Sequence, residues 1–125
     1  MQLPITALNT ESFRALMKEE PSKDIFIFFA GPACFSCPAV WPEYQKLVRV
    51  LHEKSTGIVF AFVDLSHNEL QEEAKIFSFP SLRLYPANTD RTRTWINFTQ
   101  SPTYVLLTKF LKQNTKATEL VADEA

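Results

Sequence analysis

Residues 24–41 read DIFIFFAGPACFSCPAVW. The first seven, Asp24 to Ala30, form an almost unbroken apolar run, the pattern of a strand covered on both faces. From Pro38 to His52, Val40, Trp41, Tyr44, Leu47, Val48 and Leu51 recur at helical spacing. Pro42 within that helix is expected to bend it. The junction between strand and helix is Cys34-Phe35-Ser36-Cys37, which holds both cysteines of the chain. A thiol at such a junction faces unpaired backbone N–H groups and the positive end of the helix dipole. Both favour thiolate, the form that attacks disulfides. The two-residue gap lets one sulfur attack and the other resolve the mixed intermediate. Cys34 is the candidate nucleophile and Cys37 the candidate resolving thiol.

The pair alone leaves three readings open. It fits a redox dithiol, half of a zinc site, or two cysteines packed at a helix start. Zinc would need two further ligands, with only His52 and His67 available beyond carboxylates. His52 falls at the far end of the second helix, so no metal site is expected.

Alternating elements flank the junction. Ile5 to Leu8 reads as a short strand. Asn9 or Thr10 can cap a helix to about Lys18, with Phe13, Leu16 and Met17 on one face. Ile58 to Leu65 is a second buried strand, and Asn68 to Phe77 a short polar helix. Leu82–Tyr85 and Arg93–Asn97 read as a strand pair joined through residues 86–90. Ser101 and Pro102 are expected to open a last helix running to Asn114. The order is β-α-β-α-β-α-β-β-α. Strands separated by helices are expected to pair in parallel and the last two to form a hairpin, giving an α/β fold with a mixed central sheet and helices on both faces. Phe79-Pro80-Ser81, at the entry to the hairpin, suggests a constrained or cis peptide bond.

The chain has 125 residues, 46% hydrophobic and 22% charged, which suits one globular domain. We read it as residues 1–116, with 117–125 as a flexible tail. A net charge of −1 provides no basic field for nucleic acid or an anionic membrane. No apolar run reaches the length of about 18 residues that a membrane span requires, and the N-terminus lacks the pattern of a signal peptide. Asn97-Phe98-Thr99 is a glycosylation sequon, which makes Asn97 a candidate acceptor and leans toward a secretory compartment.

FIFFAGPACFSC (26–37), Pro42, VDLSHN (63–68), FSFPSLRLYP (77–86) and SPTYVLLTKFL (101–111) together resemble the thioredoxin fold across nearly all of residues 3–114. Phe79-Pro80-Ser81 resembles the Tyr-Pro-Thr of protein disulfide isomerase domains more than the Ile-Pro-Thr of thioredoxins. CFSCP, VDLSHNEL and LYPAN are similar to multi-domain, membrane-anchored endoplasmic-reticulum thioredoxin-domain proteins. The resemblance implies several things. Cys34 and Cys37 close to a redox-active disulfide. Pro80 is the family's cis-proline and, with Phe79, docks substrate, while Phe35 and Ala33 extend the apolar surface. The partners are protein or peptide thiols and disulfides, with glutathione or a partner dithiol supplying redox equivalents and no cofactor. The chain would be one domain of a larger protein, in the endoplasmic-reticulum lumen or, alternatively, the cytoplasm.

The same resemblance exposes departures. Active members carry a buried acid six residues before the first cysteine; here that residue is Phe28. Their basic partner comes from the strand that here is Ile58 to Leu65, which has neither Lys nor Arg; Phe60 and Phe62 hold its inward positions. Ala33 replaces the usual Trp, Pro38 the usual basic residue, and Gln100, Ser101 and Pro102 stand where a loop Arg is expected. These losses imply slow exchange. They also support an alternative, a non-catalytic module that binds clients and keeps a structural disulfide.

Overall fold

The computed structural model describes residues 3–19, 21–54, 57–67 and 70–115. The expected tail, 117–125, lies outside them. Five strands and four α-helices follow in the order β1 (Ile5–Leu8), α1 (Thr10–Lys18), β2 (Asp24–Ala30), α2 (Cys37–Glu53), β3 (Ile58–Asp64), α3 (Leu70–Ala74), β4 (Ser81–Tyr85), β5 (Ile96–Asn97) and α4 (Tyr104–Asn114). The strands lie in the spatial order β1-β3-β2-β4-β5. This is the thioredoxin fold expected from the sequence.

Apolar DIFIFFA fills the centre of the sheet because both its faces are covered. Phe26 and Phe28 face α2 and α4, where they join Tyr44, Leu47, Leu51, Leu82, Leu107 and Leu111. Ile25, Ile27 and Phe29 face α1 and α3, against Phe13, Val63, Leu70 and Tyr85. Tyr44 crosses from α2 to the sheet. Its hydroxyl sits 2.9 Å from the carbonyl oxygen of Phe26 and 2.8 Å from that of Ala61 and donates there. Burial pushes its pKa up, so the hydroxyl stays a neutral donor.

Several elements depart from expectation for identifiable reasons. β4 runs antiparallel to β2 rather than parallel. A parallel return needs a crossover of a dozen or more residues, and α3 has five, too short to carry the chain back along a seven-residue strand. β4 therefore starts at the end where β3 stopped. β5 spans only Ile96–Asn97, because the amides of Arg93 and Thr94 both donate to the Asp90 carbonyl and curl that segment into a turn. Leu65–His67 forms a 3₁₀ turn rather than the last residue of β3. The cap of α4 is Thr103, whose hydroxyl accepts from the Leu106 amide at 3.3 Å, not Ser101. Asn9 caps α1, and its side chain and that of Ser12 form a reciprocal box.

α3 ends one turn earlier than the sequence suggests. Residues 68 and 69, the expected start, lie outside the described residues. At its C-terminus the Ile76 amide donates to the Gln71 carbonyl and the Lys75 amide to that of Glu72. This is a Schellman closure, which places the residue after the helix in the left-handed region. That residue is Lys75, at φ 59°. A side chain there costs about 1 kcal/mol relative to glycine. Lys75→Gly is accordingly expected to raise stability by about 0.5–1 kcal/mol, read as an increased urea midpoint. A lowered midpoint would mean that the Lys75 ammonium, 6.0 Å from the Trp95 ring centre, matters more than the backbone.

Candidate active site

β2 ends at Ala30, and the loop Gly31–Ser36 then carries the chain onto α2. Cys34 and Cys37 are joined by a disulfide, with Cα atoms 5.4 Å apart. Both residues are partly exposed, and Cys37 also packs against the core on the α2 side of the sheet. Ala33 takes a left-handed backbone, φ 56°, and Phe35 projects with 92% of its surface exposed.

The helix start provides fewer anion-binding amides than its position suggests. Ser36 makes no side-chain cap, and Pro38 has no N–H. The Cys37 amide donates to the Cys34 carbonyl at 3.4 Å and the Ala39 amide to that of Ser36 at 3.0 Å. A thiolate at Cys34 therefore keeps the helix dipole, but neither a Ser36 side-chain cap nor an amide at Pro38 helps to hold it.

Cys34 and Cys37 border an open cleft of about 530 Å³ whose walls include Phe28, Trp41, Phe62 and Asp64. Phe28 and Phe62 are register partners on β2 and β3. Their rings meet edge to face at 5.7 Å, and Trp41 packs on both at 5.8 and 5.2 Å. Where the resemblance implies a buried acid and its basic partner, this chain has an aromatic pair. Removing only one charge would strand the other in the core; with both replaced, the site stays packed and uncharged. Phe60 lies one pleat deeper, against Phe26 and Tyr44. Trp41 belongs to the core and the cleft wall together.

The Phe79–Pro80 peptide bond is cis. Ser81 pairs with Phe29 across β2 and β4, which brings the preceding residues to the end of β2 where the cysteine loop departs. The Phe79 ring lies flat against Gly31: a Cβ there would come within 2.5 Å of the ring. Any side chain at 31 would have to displace the Phe79 ring. Pro80 itself does not border the cysteine cleft. It lines a second groove of about 360 Å³ with Phe77, Ser81, Asn97 and Thr99. The candidate docking residues lie on two segments, Ala33 and Phe35 on the cysteine loop and Phe79 and Pro80 ahead of β4, and the contact of the Phe79 ring with Gly31 joins the two.

The Thioredoxin family description matches residues 4–116. The chain belongs to the thioredoxin family. It is 30% identical over 125 residues to a protein disulfide-isomerase of Humicola insolens, covering 98% of this chain and 24% of that protein. It is 34% identical over 89 residues to the protein disulfide-isomerase of Oryctolagus cuniculus, covering 71% of this chain and 17% of the relative. The chain therefore spans about a quarter or less of these relatives. Among solved structures, the J-Trx1 fragment of ERdj5 superposes with a TM-score of 0.76 at 17% identity, covering 93% of this chain and 52% of that one. The chain is thus a thioredoxin domain related to protein disulfide isomerases, with a CxxC disulfide at Cys34–Cys37.

Two features of the site escape a linear reading. Asp64 shares the cysteine cleft, and alternation along β3 (60, 62, 64 on one face) was the signal for it. Arg83, a buried cation on β4 that lines the Pro80 groove, carries no sequence signal, because its partners are the Ala74 and Lys75 carbonyls, the Tyr85 hydroxyl and Asn97 Oδ1, which share no pattern in the sequence.

Proposed function

We propose that this domain performs thiol–disulfide exchange on protein substrates, slowly, with Cys34 as nucleophile and Cys37 as resolving thiol. The observation that carries this reading is the partly exposed Cys34–Cys37 disulfide at the start of α2, bordering a cleft. In exchange, Cys34 thiolate attacks a substrate disulfide, and Cys37 then displaces the substrate sulfur. Ala33, Phe35, Phe79 and Pro80 supply apolar surface for a polypeptide. Glutathione or a partner dithiol resets the pair, and no cofactor enters. We read residues 1–116 as one domain of a longer protein in the endoplasmic-reticulum lumen. Asn97 suits that compartment: it and Thr99 are exposed on either side of Phe98, whose ring packs on Phe110. Arg83 Nε donates to Asn97 Oδ1 at 3.1 Å, which engages the amide oxygen and not the nitrogen that a glycan would be joined to.

The test is a redox titration: equilibrate the chain in glutathione buffers, trap free thiols and count alkylated cysteines by mass. With neither a Ser36 cap nor a Pro38 amide to hold a Cys34 thiolate, the reduced form gains little stabilisation. The midpoint is expected nearer ~−270 mV than the ~−180 mV of an oxidising isomerase. For the same reason, the rate of Cys34 alkylation is expected to rise with pH through a midpoint at or above about 7; a midpoint well below 6 would contradict the site as described. A pair that stays oxidised throughout would sink the exchange reading. The Phe28–Phe62 pair favours the second reading, a client-binding module with an inert disulfide. Unchanged client binding by a Cys34→Ala, Cys37→Ala protein would support it.

A further inference from the structure

The aromatic pair removes the acid that would take the proton of Cys37, yet among the described residues lining the cleft there is one carboxylate. Asp64 is the last residue of β3, on the same face as Phe60 and Phe62, and pairs with Ala30 at the end of β2. It borders the cleft together with both cysteines. Its Oδ1 accepts from the Ser66 amide at 2.9 Å, which fixes the carboxylate where β3 turns into the 3₁₀ segment. The elements around it present Phe28 and Ala30 from β2, Pro38 and Trp41 from α2, Phe62 from β3, and Ser66. Among the described residues lining the cleft, the groups that exchange protons are therefore Asp64 and the two thiols.

We propose that Asp64 takes the proton of Cys37 when the mixed disulfide is resolved, through water in the cleft. This rests on the exchange reading above and specifies its slow step. At that point Cys34 is bonded to the substrate sulfur and Cys37 is a thiol. The Cys37 S–H bond breaks, its proton passes to the Asp64 carboxylate, and the sulfur electron pair forms the bond to Cys34 Sγ. The Cys34–substrate S–S bond breaks, and the substrate sulfur leaves with its electron pair as thiolate. It is then protonated, and Asp64 returns to carboxylate. Cys37 is oxidised with Cys34, and one substrate disulfide is reduced. A well-matched base supplies ~10²–10⁴-fold. A solvated carboxylate is poorly matched to a thiol, so the gain expected from Asp64 is about tenfold, below that range.

Asp64→Asn keeps an oxygen for the Ser66 amide and removes the proton acceptor. The reduced chain is mixed with glutathione disulfide and quenched with acid at successive times, and the mixed disulfide is followed by mass. The attack phase is expected to match the parent. Resolution is expected to slow about tenfold near pH 6–7, with the gap closing toward pH 9, where the thiol ionises unaided. Asp64→Glu is expected to restore the parent pH profile. Equal resolution rates in Asp64→Asn and the parent at pH 6–7 would overturn the role of Asp64 while leaving exchange intact. A parent that forms no mixed disulfide would overturn both readings.

Discussion

Phe28→Glu is expected to destabilise the domain by about 4 kcal/mol, the largest effect of any single exchange at the dithiol site. Phe28 is 1% exposed, and its ring touches Trp41, Tyr44 and Phe62 at centroid distances of 5.5–5.8 Å. Truncating such a ring costs about 3–5 kcal/mol, and a carboxylate left without a partner in the core costs a similar amount. The two penalties overlap, since the glutamate stem refills part of the space and the acid can stay protonated. Phe62 is half-buried at the cleft wall, so Phe62→Lys is expected to cost less, about 2 kcal/mol. The two positions are register partners. The double variant should therefore recover about 2 kcal/mol of the summed loss as the new charges pair. Urea unfolding of the four proteins measures this as a double-mutant cycle. Losses that add within about 0.5 kcal/mol would show that positions 28 and 62 are independent, and the account of the aromatic pair as a joint replacement would fall. Cys34 and Cys37 are untouched in all four proteins, so the disulfide is a constant background to the comparison.

Phe28 and two candidate partners, Phe60 and Phe62, were legible in the sequence, because β2 and β3 are the elements that a sequence announces most clearly; the register selects Phe62. Their apolar runs set the bounds, and alternation sets which side chains face α2. The junction at Cys34–Cys37 was legible for the same reason, since a buried strand and an amphipathic helix leave one place for a two-cysteine turn. The β4–β5 side was read less well. Leu82 and Leu84 mark β4, but its direction depends on how far α3 can carry the chain, and residues 68–77 look like a longer helix than Leu70–Ala74. The stop at Ala74 comes from a Schellman closure at a lysine, where glycine would have signalled it. Arg93 to Asn97 has strand-like alternation, yet the Asp90 carbonyl draws two of its amides into a turn. Local hydrogen bonding of this kind competes with ladder pairing and leaves no period to detect. The contact of the Phe79 ring with the backbone of Gly31 had no sequence signal, because only the sheet brings these two residues together.

Arg83→Met is expected to cost about 3 kcal/mol, without changing exchange at the dithiol. Arg83 is 2% exposed on β4 and faces α1 and α3, the side of the sheet away from α2. Its guanidinium donates to the carbonyl oxygens of Ala74 and Lys75, to the Tyr85 hydroxyl at 3.0 Å, and to Asn97 Oδ1 at 3.1 Å. The first two are carbonyls at the end of α3, which the helix itself cannot satisfy. Arg83 thus does for α3 what a longer helix with a glycine cap would do unaided. The plane also lies 4.5 Å from the Trp95 ring centre and 5.7 Å from that of Phe29, a cation–π contact worth about 1 kcal/mol or more where water is excluded. Burial raises the pKa of the Tyr85 hydroxyl and the Arg83 charge opposes that rise, so Tyr85 remains a neutral acceptor for Arg83 at neutral pH. Methionine fills much of the volume but leaves the Ala74 and Lys75 carbonyls without their donor, at about 1–3 kcal/mol for each buried acceptor. Arg83→Lys is expected to cost about 2 kcal/mol, because one ammonium cannot reach four acceptors spread around a planar fork. Urea midpoints rank the three proteins, and amide exchange at Leu70–Ala74 shows where the loss falls. Protection lost first in α3 fits the capping role. Protection lost evenly across the sheet would mean that Arg83 acts through the core as a whole, and that α3 holds its end without it.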